Sequence, residues 1–74
     1  MLMRPISDVR EAMALVDNFS GPPDAFVLCL AESLHDAIGV NIALIADRIL
    51  AKGWEPNGVE RFDRFRVYRY KVMR

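Results

Sequence analysis

The sequence predicts an α+β fold in which three short helices precede a C-terminal β-hairpin. Two observations carry this. Up to Lys52 the apolar residues recur with a helical period, in three stretches broken at Ser20-Gly21-Pro22-Pro23, at Gly39 and at Gly53. After Trp54 the period changes, and a stretch rich in Phe, Val and Tyr follows the turn pair Asn57-Gly58. At 74 residues the chain is read as one domain, residues 1–74, and a core this small seldom supplies more than about 3–5 kcal/mol.

The first helix starts at a Ser7 or Asp8 cap, with Ile6 as its hydrophobic staple, and runs to about Phe19. Val9, Ala12, Met13, Leu15, Val16 and Phe19 share one face, and Arg10, Glu11, Asp17 and Asn18 the other. The second helix is expected from about Pro23 to Ile38, since proline suits the opening of a helix and Phe26, Val27, Leu30, Ala31, Leu34, Ala37 and Ile38 fall on one arc. Its opposite arc is acidic, with Asp24, Glu32, His35 and Asp36 around an exposed Leu28. Gly39 stops it in the left-handed conformation. Asn41 then caps a third helix to about Lys52, so short a connection forcing a sharp crossing.

That third helix buries Ile42, Ala43, Ile45, Ala46, Ile49 and Leu50 and leaves Asn41, Leu44, Arg48 and Lys52 as its outer strip. Gly53 ends it, so that Trp54 packs back on Ile49. In the hairpin, Pro56 restricts the first strand to a sheet edge and Asn57-Gly58 forms the turn. The second strand spans Phe62 to Val72, with a bulge at Val67 and Tyr68 switching the buried face.

Hydrophobic side chains make up 53% of the chain, rich for one with so little interior, so part of that surface is expected to be covered in a homodimer or against another protein. Leu28 and Leu44, each set in a polar arc, are the expected contact residues. Net charge is zero, but residues 1–40 carry two Arg against six carboxylates and residues 41–74 eight Lys or Arg against four. An acidic half is joined to a basic one, an asymmetry that suits an acidic partner. The longest apolar run, Ala25 to Ala31, is far shorter than a membrane span, and the N-terminus lacks a signal pattern. The default location is cytoplasmic, with no membrane partner.

Catalysis is not expected. Cys29 is the only cysteine and His35 the only histidine, and on one helix six residues apart they point about 120° from each other, so neither activates the other. Glu32-x-x-His35 has the spacing of a di-iron helix motif, but such sites need two motifs and further carboxylates. A solvated Glu/His pair and a packed Cys29 are the plainer readings, with no metal and no cofactor. Substitutions Cys29→Ser and His35→Gln are expected to leave function largely intact.

The most distinctive stretch is Arg61, Arg64, Arg66, Tyr68, Arg69, Tyr70, Lys71 and Arg74. Arginine interleaved with aromatics on a strand pairs with carboxylates of an acidic protein, or neutralises phosphates and stacks on bases; it also serves simply to keep an edge strand soluble.

Helix, sharp turn, helix, Gly-Trp and basic ribbon, in that order over residues 23–72, resemble a winged-helix domain. The resemblance implies a DNA-facing strip of Asn41, Leu44, Arg48 and Lys52, with Arg64, Arg66 and Arg69 on the wing. Asn reads adenine and Arg guanine in the major groove. The start of the third helix is apolar apart from Asn41, however, and Asp24, Glu32 and Asp36 on the preceding helix repel phosphate. The expected function is therefore a small interaction or regulatory module that self-associates through apolar helix surface and binds an acidic partner through its basic ribbon. DNA binding is the alternative.

Overall fold

The computed structural model describes residues 4–73. Asp8 caps the first helix, α1 (Val9–Asn18), its carboxylate accepting the Arg10 N–H at 2.9 Å. Ala12 and Val16, one turn apart, are fully buried, and Val9 and Met13 pack against the core beside them. Phe19 takes extended backbone and ends the helix.

From Pro23 the expected second helix does not form. Pro23–Ala25 makes a single 3₁₀ turn, Val27–Ala31 is a strand, β1, and Glu32–Leu34 is another 3₁₀ turn. Among the described residues, two helices and a three-stranded antiparallel sheet make up the α+β fold, rather than three helices and a hairpin. The physical reason is burial on both faces. Leu28, Cys29 and Leu30 are consecutive and all buried, which a strand inside a molecule permits and an amphipathic surface helix does not. A short apolar run of this kind carries no period of its own, so its long-range pairing decides it.

The second helix, α2 (Val40–Ala51), is not capped by Asn41, which lies inside it. Gly39, left-handed at φ 71°, is the N-cap, and the Asp36 carboxylate accepts the N–H groups of Val40 (3.2 Å) and Asn41 (3.4 Å). Gly53, at φ 76°, follows the C-cap Lys52 as expected, and its N–H reaches the Leu50 carbonyl at 2.9 Å.

Strands β2 (Trp54–Arg61) and β3 (Phe65–Val72) form the hairpin, with β3 central in the order β1-β3-β2. The turn lies at 62–64, closed by the Phe62 N–H on the Phe65 carbonyl at 2.9 Å. Asn57-Gly58 is a bulge instead of the turn. The register slips by one residue between Pro56 and Val59, and Gly58 sits at φ 120°. The bulge is thus on β2, and β3 passes through Val67 and Tyr68 uninterrupted. Pro56 does lie on an edge strand. The other edge, along β1, is covered at Ile6, which exchanges backbone hydrogen bonds with Cys29 and Ala31 (2.9 and 2.8 Å).

Paired residues share a face of the sheet. Leu28, Leu30, Tyr68, Tyr70, Trp54, Pro56 and Val59 therefore lie on one face, and Val27, Cys29, Val67, Arg69, Lys71, Glu55 and Glu60 on the other. Both helices serve the first face, where Ile45 and Ile49 of α2 join Ala12 and Val16 of α1 over Leu28 and Leu30. An aromatic layer of Phe19, Phe26, Trp54 and Tyr70, with ring centroids 4.9–6.3 Å apart, closes one end of the core.

Candidate functional site

The bulge has a consequence for the molecular surface. With one extra residue between them, Pro56 and Val59 both turn to the helix side, opposite Tyr70 and Tyr68, and stand across from α2. An open cleft of about 370 Å³ lies between: Ile42, Ala46 and Leu50 of α2 on one side, Pro56, Gly58 and Val59 of β2 on the other, and Leu30, Ile45, Ile49, Trp54, Tyr68 and Tyr70 around them. Its lining is almost wholly apolar. Leu50 and Val59 remain 56% and 50% exposed.

Few lone polar groups reach this space. Tyr68 gives its hydroxyl to a hydrogen bond with His35 Nε2 at 2.9 Å, and burial raises the Tyr70 phenol well above its ordinary pKa, so that hydroxyl stays neutral. An open, apolar cleft of this kind is suited to holding aliphatic or aromatic side chains.

The expected basic ribbon is less free than its sequence implies. Arg66 makes a two-pronged pair with Glu32 (3.1 and 2.9 Å), which holds the Glu32 carboxyl below the usual range. Arg69 pairs with Glu60 at 3.4 Å and Lys71 with Glu55 at 3.7 Å, both across the sheet face turned away from the helices. Tyr70 is only 5% exposed, because it faces Pro56 on the helix side, where it belongs to the core and the inner wall of the cleft and not to an outer face of the ribbon. Arg61 and Arg64 are exposed near the hairpin turn and make no ion pair among the described residues. Arg74 lies outside the described residues.

Nor is the outer strip of α2 a free surface along its length. Arg48 reaches Asp17 of α1 at 3.2 Å, and Lys52 donates to the Phe19 carbonyl at 2.7 Å with its ammonium 5.1 Å from the Trp54 ring centre. Both tie α2 to the C-terminal end of α1. Asn41 is half-buried, and Leu44 is 41% exposed. Leu28, expected on an exposed arc, is 1% exposed, because on β1 it faces Tyr68 under the helices.

Cys29 and His35 are not on one helix. Cys29 is buried on β1, where burial pushes its thiol up, and His35 follows the 3₁₀ turn Glu32–Leu34. The His35 side chain is 6% exposed and bonded through both ring nitrogens, so it is not part of a solvated pair. Among the described residues no group of three His, Cys, Asp or Glu is placed to hold a metal, and no helix is long and apolar enough to cross a membrane.

Sequence reasoning did not single out the cleft. One signal for it was present: the apolar arc of α2, from Ile42 round to Leu50, is wider than one packed neighbour covers. The other, the placement of Pro56 and Val59, depends on a bulge at Asn57-Gly58, where the sequence predicts a turn. Comparison of the chain with protein-family models, curated proteins and solved structures gave no match.

Proposed function

We propose that this chain is a small non-catalytic interaction module that holds an apolar segment of another polypeptide in the cleft between α2 and the β2–β3 ribbon. The observation that carries this reading is the open cleft itself, with Leu50 and Val59 half-exposed on opposite lips. Completing the burial of such a side chain gains about 1 kcal/mol. For a fold with about 3–5 kcal/mol in hand, a bound partner is a substantial part of its stability.

A homodimer, expected through Leu28 and Leu44, loses Leu28 to the core. The cleft replaces it as the contact surface. Binding of an acidic partner along the whole ribbon is less supported, since Arg66, Arg69 and Lys71 already have carboxylates. DNA binding stands second. Exposed Arg61, Phe62 and Arg64 at the hairpin turn favour it, while Arg48 and Lys52 bonded to α1 do not.

The test is photo-cross-linking in the native cell, with a photoreactive residue in place of Leu50 or Val59 and, as control, of Ala14 on the exposed side of α1. The lips should each give one discrete protein adduct that the control does not give. An adduct of twice the chain mass places a second copy in the cleft. Equal labelling at all three positions, or none at the lips, contradicts the proposal.

A further inference from the structure

Along the helix-side face, β2 and β3 meet in successive pairs: Pro56 with Tyr70, Val59 with Tyr68, and Arg61 with Arg66. The first two pairs wall the cleft. The third lies one step beyond it, so one end of an apolar cleft is followed directly by two guanidinium groups. Glu32 takes up Arg66 with both oxygens. Arg61 lies near enough to Glu32 to help lower its pKa, yet it pairs with no carboxylate among the described residues and is exposed. With the turn residues Asp63 and Arg64 counted, three cations against two carboxylates leave this end positive. At the far end, beside Trp54, the Lys52 ammonium is held by the Phe19 carbonyl and the Trp54 ring, and the strand charges Glu55 and Lys71 pair with each other on the opposite face of the sheet, so Arg61 is the strand cation of the two ends that no protein group takes up among the described residues. Asp47, one helical turn from Leu50, disfavours an acid seated midway along α2.

We infer that the segment bound in the cleft is apolar with a carboxylate at one end, and that Arg61 receives this carboxylate. The inference rests on the cleft being the binding surface. An arginine at the rim of an apolar site fixes the direction of the bound segment and rejects segments ending in a cation, because a carboxylate repays the guanidinium while a like charge is repelled. The occupant belongs to another protein. The chain's own N-terminal apolar run, Met1-Leu2-Met3, leads into Arg4 and carries the wrong charge.

Panning a phage-displayed random octapeptide library against the full chain, and in parallel against Arg61→Ala and Leu50→Asp, tests this. Both substituted positions are exposed, and circular dichroism checks that the variants fold. The natural chain should enrich peptides with two or more large apolar residues and an Asp or Glu at one flank. Against Arg61→Ala the apolar residues should persist while the acid falls to its library frequency, and a selected peptide should bind that variant roughly tenfold more weakly. Leu50→Asp should enrich neither. Apolar peptides without an acid, or an acid preference that survives Arg61→Ala, overturn the role of Arg61 and leave the cleft as the binding surface. Failure to enrich apolar peptides at all overturns both.

Discussion

Because a carbonyl oxygen only accepts, the 3.0 Å contact of His35 Nδ1 with the Ala31 oxygen puts the proton of the neutral ring on Nδ1. Nε2 then accepts from the Tyr68 hydroxyl at 2.9 Å. The ring thus fastens the segment after β1 to the central strand, and its role is structural. His35→Ala leaves a part-buried hydroxyl and carbonyl without their partner and should cost about 1 kcal/mol. In a domain of this size each kcal/mol lowers Tm by about 4–8 °C, a shift that thermal unfolding followed by circular dichroism reads directly. An unchanged Tm contradicts the bridging role. Glu32, beside it, gives a pH signature. The Arg66 hydrogen bonds hold its folded-state pKa below the unfolded value, so its contribution is present above the ordinary carboxylate range and lost as pH falls through the lowered pKa. Glu32→Gln should therefore make Tm fall less between neutral pH and about pH 3 than in the natural chain. The pair is exposed, so the difference is small in size but fixed in sign.

At the scale of elements, α1 and the end of α2 were legible because each carries a local signal. Asp8 is a cap in front of a clean apolar stripe, and Gly53 is a stop. The residues between Pro23 and Ile38 were not legible, because Val27, Leu30, Ala31 and Leu34 fall on a helical arc that leaves only Leu28 misplaced, and the deciding partner, β3, lies nearly forty residues away. The Asn57-Gly58 pair misled for a related reason. Glycine at positive φ serves a turn and a bulge alike, and only the pairing of Val59 with Tyr68 distinguishes them. Of the candidate site, the basic ribbon was visible but its partners were not, since Glu32, Glu55 and Glu60 reach it through sheet pairing and the turn after β1. Gly58 offers a test at this scale. A Cβ there meets no atom within 4 Å, so Gly58→Val is penalised by backbone conformation alone, at φ 120°, and should cost about 1–3 kcal/mol. Loss of stability with an intact hairpin supports the positive-φ backbone that the bulge requires; a neutral substitution, measured by urea unfolding, argues against it.

For the whole molecule, the bulge, the helix and the sheet combine to leave a cleft that neither helix covers. Its lips are half-exposed, so the double variant Leu50→Asp, Val59→Lys should lower stability by only about 1 kcal/mol per position, leaving the chain folded while removing binding. That separation of folding from binding distinguishes an interaction surface from an unfinished core. The most direct measurement is a two-dimensional ¹⁵N NMR titration of the labelled chain with the partner recovered by cross-linking. Shifts should concentrate on Ile42, Ala46, Leu50, the Trp54 indole, Val59 and Tyr68, and should vanish in the double variant. Shifts confined to the hairpin turn at 62–64 or to the strip of Asn41, Leu44 and Arg48, and unchanged in the double variant, would contradict the cleft as the site of binding.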